Sequence, residues 1–250
     1  MNVTKIKTRK ILPPKDSIED LLDHIPKLSE GSVIAVSSKV ISICEGHTIP
    51  LENISHEDLV NKLANFKIEP IARGANDMIL TQVGNLLVES AGIDISNANG
   101  FYVLLPNNPF KSAKQIWDYL RKRDKVRKLG VVITDSHSVP RRKGAIGFAL
   151  ASYGFKATNV YEDKKDVFGQ EFHFTAADVA DSLAAAATLV MGEGNERTPI
   201  ALITDLDNIQ FFRKILSLQA ARRYSWVHPK LDVYSPLLSS EVWSPLKKLK

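Results

Sequence analysis

The chain has 250 residues, 44% of them hydrophobic and 24% charged, with a formal net charge of +5 and a pI near 9.1. Those values describe a globular chain with ample apolar material for a core, and they exclude a disordered or fibrous protein. A single cysteine, Cys44, excludes an internal disulfide and any multi-cysteine metal site, and no apolar run approaches the ~20 residues that cross a bilayer.

The first residues, MNVTKIKTRKILPPKD, carry no signal-peptide core, so a cytoplasmic, non-membrane protein is expected. The basic runs at 121–128, at Arg222-Arg223 and at the C-terminal lysines read as solvated faces, not as a nucleic-acid surface. A mildly basic balance also suits anionic small molecules such as nucleotides.

In chain order, residues 3 to 12 alternate as an exposed or edge strand would, and Pro13-Pro14 stops them. Ser17-Ile18-Glu19-Asp20 starts a short helix carrying Leu21, Leu22 and Ile25. Gly31 to Ser37 reads as a strand ending in Ser37-Ser38-Lys39, two hydroxyls and a lysine that suit either a capped turn or a phosphate. Leu51 to Phe66 is helical, with Ser55-His56-Glu57-Asp58 as a second capping box. Arg73 to Asp77 reads as a loop.

Leu86-Leu87-Val88 opens a strand that leads into Asp94 and Asn97, three apart behind Gly92. Their side-chain oxygens fit an Asx turn or a hard cation such as Mg²⁺ or Mn²⁺. Phe101 to Leu105 is a further strand, and Ser112 to Arg127 an amphipathic helix with Trp117 in the core.

The stretch LGVVITDSHSVPRRKGAIG, Leu129 to Gly147, organises the rest. A buried strand, Leu129 to Ile133, is expected to deliver Asp135 and Ser136 at its end, followed by Arg141, Arg142 and Lys143. A polar turn between two strands and a metal–phosphate site both fit it. Ala145 to Tyr153 and Ala157 to Tyr161 read as strands, with His173 in another. A helix from Ala176 to Met191, capped within Thr175 to Asp178, ends in Gly192-Glu193-Gly194-Asn195. Those glycines fit a helix C-cap or a backbone approach to phosphate, with Glu193 available to a cation. Pro199 to Thr204 is the last strand. A helix around Ile209 to Leu218 and an extended arm with Trp226, Pro229, Pro236, Trp243 and Pro245 complete the chain. Two parts follow, 1–205 and 206–250.

Walker A, GxGxxG, HExxH and GxSxG sequences are all missing, so any chemistry rests on distributed residues. Several carboxylates on two cations are one way to hold a triphosphate. The segments VIAVSSKVISICEG, SAGIDISN, VVITDSHSVPRRKGAIGFAL and LVMGEG resemble, in order, the motif blocks of the coenzyme F-420 γ-glutamyl ligase family, over roughly residues 5 to 205. The nearest likeness is to a branch described as folate γ-glutamate ligases.

That resemblance implies an α+β fold with mainly antiparallel sheets and an intertwined homodimer. It implies joining L-glutamate to a small-molecule carboxylate acceptor, with GTP or ATP as co-substrate and two Mg²⁺ or Mn²⁺ ions. By motif, Asp94 and Asp135 would bind one ion, and Ser136 and Glu193 the other. Leu12, Pro13, Pro14, Lys15, Ser37, Ser38, Lys39, Asn97 and the Met191 to Arg197 loop, with Met191, Gly192, Gly194 and Asn195 foremost, would contact the nucleotide. Apart from the resemblance, Arg141, Arg142 or Lys143 is expected to stabilise the departing phosphate or bind an acidic acceptor, with Arg142 placed in catalysis beside Asp94, Asp135 and Glu193. Two positions depart from the family. Ile43 stands where a lysine is usual, with Lys39 four residues earlier, and Ser136-His137-Ser138-Val139 replaces Thr-Asn-Gly-Arg. A nucleotide- and metal-binding protein without ligase activity and a metal phosphohydrolase are the alternatives.

Overall fold

The computed structural model describes residues 1–68, 78–212, 214–238 and 244–245; Arg73 to Asp77 and Trp243 lie outside them. In chain order the elements are β1 (Asn2–Ile6), α1 (Ile18–Asp23), β2 (Ser32–Ser37), α2 (Ser38–Cys44), β3 (Thr48–Pro50), α3 (His56–Leu63), β4 (Phe66–Ile68), β5 (Leu80–Val83) and β6 (Leu86–Glu89). Then come β7 (Phe101–Val103), α4 (Pro109–Asp124), β8 (Leu129–Ser138), β9 (Ala145–Tyr153), β10 (Thr158–Val160), β11 (Ala176–Asp178), α5 (Val179–Met191), β12 (Ile200–Thr204) and α6 (Leu218–Ser225).

The centre is a five-stranded sheet in the order β1-β12-β2-β8-β9. Its neighbours are antiparallel except β2 and β8, which run parallel from Ser32 beside Leu129 to Ser37 beside Thr134. Both faces are covered, which is why β2 and β8 read as unbroken apolar runs. Ile34, Val36, Val131 and Ile133 point into a core with Leu21, Ile41, Phe110 and Trp117, from α1, α2 and α4. Val33, Ala35, Val132 and Ala201 point the other way, onto Leu183, Ala184 and Ala187 of α5. The fold is therefore α+β with mainly antiparallel sheets, as expected.

The alanines of α5 let it lie close to the sheet. A side-chain carbon added at Gly147 on β9 would come within 2.0 Å of Thr188 Oγ1, so only glycine permits that approach. On the opposite face the Trp117 indole donates to the Leu129 carbonyl at 2.7 Å and meets the Tyr153 ring edge-on at 5.1 Å. Trp117 is a core residue, as its helical spacing indicated.

Several expectations are corrected. β1 stops at Ile6, so residues 7 to 12 are a connecting loop and not the second half of a strand. The 51–66 region is a 3-10 turn and then α3, whose N-terminus Ser55 caps by accepting the Asp58 N–H at 3.1 Å; Phe66 belongs to β4. Asp178, the last residue of the expected capping stretch, caps α5, which starts at Val179 and not at Ala176 because residues 176 to 178 pair with β10 first. The helix expected at 209–218 forms instead at 218–225, where Ser217 supplies the cap. His173 lies in a bend, outside any strand. The arm is not wholly extended, since Pro229–Leu231 and Ser235–Leu238 are helical turns. Trp226 packs edge-on against Phe110 of α4 at 5.3 Å.

The largest correction concerns β8. The strand does not end at Ile133 but continues to Ser138, paired with β9, with Asp135 opposite Phe148 and Ser136 opposite Gly147. β2 stops at Ser37, so on that side the polar half of β8 has no strand beside it. One ladder suffices to keep the strand extended, and the free side becomes available to a site.

Candidate functional site

Where β2 ends beside Thr134 of the continuing β8, a cavity of about 690 Å³ opens. The carboxyl ends of adjacent parallel strands are where mixed sheets collect ligands, because the connections diverge there and leave polar backbone ends. β2 passes directly into α2, which sets Ser37, Ser38 and Lys39 on one wall. Thr134, Asp135 and Ser136 of β8 form the floor. The turn holding Asp94, Asn97 and Asn99 forms a second wall, the loop from Met191 to Pro199 a third, and residues 8 to 12 the rim.

Successive residues of a strand face opposite ways, and the hydrogen bonds follow that rule. Asp135 turns towards α2 and accepts from the Ser38 hydroxyl at 2.8 Å. Ser136 turns towards the loop after α5 and donates to Glu193 Oε2 at 3.3 Å. Enclosure at the cavity floor pushes the Asp135 carboxyl up to about 6; the Ser38 hydroxyl and the Ser136 N–H oppose that shift, while the negative Asp94 nearby reinforces it.

Asp94 makes the Asx turn that its sequence suggested, accepting the Ser96 N–H at 2.7 Å, and it lines the cavity as well. Its other oxygen meets Lys39 Nζ at 2.5 Å. Asn97 holds the left-handed conformation, at φ 53°, that asparagine tolerates. From there its amide donates to the Gly194 carbonyl at 3.0 Å. Gly192 caps α5, its N–H bonded to the Thr188 carbonyl at 2.9 Å, so the C-cap reading holds alongside the cavity-lining one.

The structure thus brings Leu12, Ser37, Ser38, Lys39, Asp94, Asn97, Asp135, Ser136, Met191, Gly192, Glu193, Gly194 and Asn195 around one space. Pro13, Pro14 and Lys15 stand just beyond the lining. Their loop is braced by Arg9, which holds Asp16 at 2.6 Å and Asp20 at 3.0 Å. Arg142 is also outside the lining, at the exposed turn between β8 and β9. Glu196 and Arg197 line the cavity as part of the expected Met191 to Arg197 loop, and Arg9 and Lys10 line it although sequence patterning did not single them out. Arg9 and Lys10 lie in an alternation that reads as strand.

A sequence model of the family described as F420-0:gamma-glutamyl ligase matches residues 5–205. The chain belongs to that family. It is similar to the coenzyme F420:L-glutamate ligase of Methanopyrus kandleri, 33% identical over 208 residues that cover 77% of this chain and 82% of the relative. Its similarity to the Haloarcula marismortui coenzyme F420:L-glutamate ligase is 32% over 244 residues, 86% and 94% of the two chains. The Archaeoglobus fulgidus protein of the same name is 31% identical over 211 residues, covering 77% and 82%.

For this member of the gamma-glutamyl ligase family the donor set bears on whether a divalent cation fits. Among the described residues no three acidic, histidine or cysteine side chains gather closely enough to hold a metal by themselves. Two smaller sets of hard oxygens face the cavity instead: Asp94 with Asp135, and Ser136 with Glu193. Mg²⁺ is commonly bound in that way, by one or two carboxylates with phosphate and water completing the shell. The residues fit such an ion. Ile43 also lines the cavity, and Lys39, one helical turn away, supplies a cation there. No helix among the described residues is long and apolar enough to cross a membrane.

Proposed function

We propose that this protein joins L-glutamate through an amide bond to a small-molecule carboxylate, a deazaflavin coenzyme precursor or a folate-like acid, and consumes GTP or ATP. One observation carries the reading: oxygen donors from three separated segments meet four cavity-lining cations, Arg9, Lys10, Lys39 and Arg197, in one cavity. That mixture suits a triphosphate with divalent counter-ions better than an apolar ligand.

Asp94 and Asp135 would hold one Mg²⁺ or Mn²⁺ ion, and Ser136 and Glu193 a second. When bound, the ions would neutralise phosphate charge and align the terminal phosphoryl group. Ser37, Ser38, Asn97 and the Met191–Asn195 loop would hold the nucleotide, with Leu12 at the rim and Pro13 to Lys15 behind it. The acceptor carboxylate attacks the terminal phosphorus, the nucleoside diphosphate leaves, and an acyl phosphate results. The glutamate amine then attacks the acyl carbon, loses a proton and expels phosphate. Asp94, Asp135 and Glu193 hold charge throughout. Arg142 contacts an acidic acceptor only where that acceptor extends to the β8–β9 turn.

The family's homodimer is supported by the β10–β11 excursion. Val167, Phe168 and Phe174 are 92%, 87% and 95% exposed on it. The turn is hydrogen-bonded, with Asp166 accepting the N–H groups of Phe168 and Gln170 at 2.8 Å each. Large apolar side chains displayed together mark a protein-binding surface.

The deciding experiment incubates the protein with GTP or ATP, Mn²⁺, L-glutamate and each acceptor, and reads products by mass spectrometry. A glutamate increment on one acceptor supports the reading. Nucleotide binding without product supports the second reading, a non-catalytic binding protein, which the position of Arg142 outside the cavity favours. Phosphate release without glutamate transfer indicates a phosphohydrolase.

A further inference from the structure

Glu196 holds no cation in the reading above, yet its side chain folds back onto the cavity loop. Its carboxylate curls back over the two glycines and accepts the Gly194 N–H at 2.9 Å. A side-chain carbon at Gly192 would lie 2.6 Å from Glu196 Cδ and within 2.9 Å of both its oxygens; at Gly194 the same oxygens would be 3.2 Å away. The glycines are therefore the seat on which this carboxylate rests. Gly192 also has φ of +82°, a second reason for it to be glycine.

Two further bonds leave the same turn. Glu193 is directed to the Ser136 hydroxyl, and the Gly194 carbonyl is directed to the Asn97 amide. These two bonds tie the loop after α5 to β8 and to the Asp94–Asn99 turn. Behind Glu196 the loop is fastened as well: Thr198 donates to the Met191 carbonyl, and the Arg197 carbonyl accepts the Thr8 N–H at 2.9 Å. Glu193 and Glu196, three residues apart, thus make different contacts, one to Ser136 across the cavity and one to the backbone of its own turn.

We propose that Glu196 is a positioning residue, whose carboxylate on Gly192 and Gly194 shapes the turn that aims Glu193 at Ser136. The role of Glu193 as a cation ligand rests on the function proposed above; the shaping of the turn does not. What matters in Glu196 is an acceptor oxygen at the right reach, since a hydrogen bond to a backbone N–H needs no net charge.

Two conservative variants separate reach from charge. Glu196→Gln keeps the length and an acceptor oxygen but loses the charge. Glu196→Asp keeps the charge and falls one methylene short. Hydrogen–deuterium exchange on the full chain, with no ligand present, reads the Gly194 amide. Mn²⁺ titration reads the consequence for cation binding. The proposal expects Glu196→Asp to exchange roughly three- to tenfold faster at Gly194 and to weaken Mn²⁺ by a similar factor, the loss of one ordinary hydrogen bond. Glu196→Gln stays close to wild type in both. The reverse order, with Asp near wild type and Gln impaired, overturns it and makes Glu196 a charge-bearing ligand. Equal exchange at Gly194 in all three proteins also overturns it. If wild type binds no Mn²⁺, the proposed function fails while the exchange data still decide this inference.

Discussion

Lys39 Nζ and Asp94 Oδ2 meet at 2.5 Å across the cavity mouth, joining α2 to the turn that carries Asn97. The same ammonium donates to the Ser96 carbonyl and hydroxyl, both at 2.9 Å. It therefore already holds a charge that a divalent cation would also seek. The pair is part-exposed, at 22% and 41%, so it contributes no more than about 1 kcal/mol. Lys39→Met is expected to tighten Mn²⁺ binding in the absence of nucleotide by about two- to fivefold, the inverse of that competition. Calorimetric titration measures it; weaker binding in the variant would show that Lys39 supports the cation site.

Asp135 predicts a pH-dependent stability. Its folded carboxyl titrates near 6, above the ordinary value of 3.8. A raised value means the ionised form costs stability above about pH 6; the cost fades as the pH falls and is gone below about pH 4, where the group is neutral folded or unfolded. With a chelator present, Asp135→Asn is expected to melt a few degrees higher than wild type at pH 8 and equally at pH 4. The same variant is expected to lose Mn²⁺-dependent nucleotide turnover. An unchanged melting difference across that range would rule out the buried charge as its cause.

Asp16 gives the opposite sign. Hydrogen bonds from the Arg9 guanidinium, then the N–H groups of Leu12 and Ser17, hold its carboxyl well below the usual range. Its stabilising contribution is present above about pH 4 and is lost as the pH falls further. Asp16→Asn is expected to loosen the rim loop at neutral pH. Limited proteolysis should then cut between residues 9 and 16 faster than in wild type, with the difference disappearing in acid.

Gly147 and Thr188 fix how close α5 lies to β9. Gly147→Ala is expected to destabilise the fold by about 1–3 kcal/mol in urea titration, as overpacking does. Thr188→Ala in the same chain should recover part of that loss, because two of the three atoms nearest the new methyl belong to the Thr188 hydroxyl and methyl groups. Strict additivity of the two changes would show that they do not touch.

Phe168→Ser tests the exposed excursion. At equal concentration, light scattering should show a shift from dimer to monomer, with far-UV circular dichroism unchanged. A wild-type protein that is already monomeric would remove the homodimer from the proposed function.

Local patterning told much of this in advance. The buried runs of β2 and β8, the alanine-rich α5 with its glycine stop, and the core position of Trp117 are all set by short-range periodicity and burial. The segments carrying Asp94, Asp135-Ser136 and Glu193 were visible as polar residues beside glycine or at element ends. The end of β1 was not visible, because an alternating polar run looks the same in an edge strand and in a braced loop. The start of α6, which Ser217 caps, carries no stronger local signal.

By itself the sequence determined which residues are able to hold charge and which strands need cover on both faces, since side-chain chemistry and periodicity are properties of neighbours in the chain. Only the tertiary structure decided that Arg9 and Lys10 join the cavity and Arg142 stays outside it. Those placements depend on where β2 stops, how far β8 continues and how tightly α5 lies on Gly147, which are contacts between segments scores of residues apart.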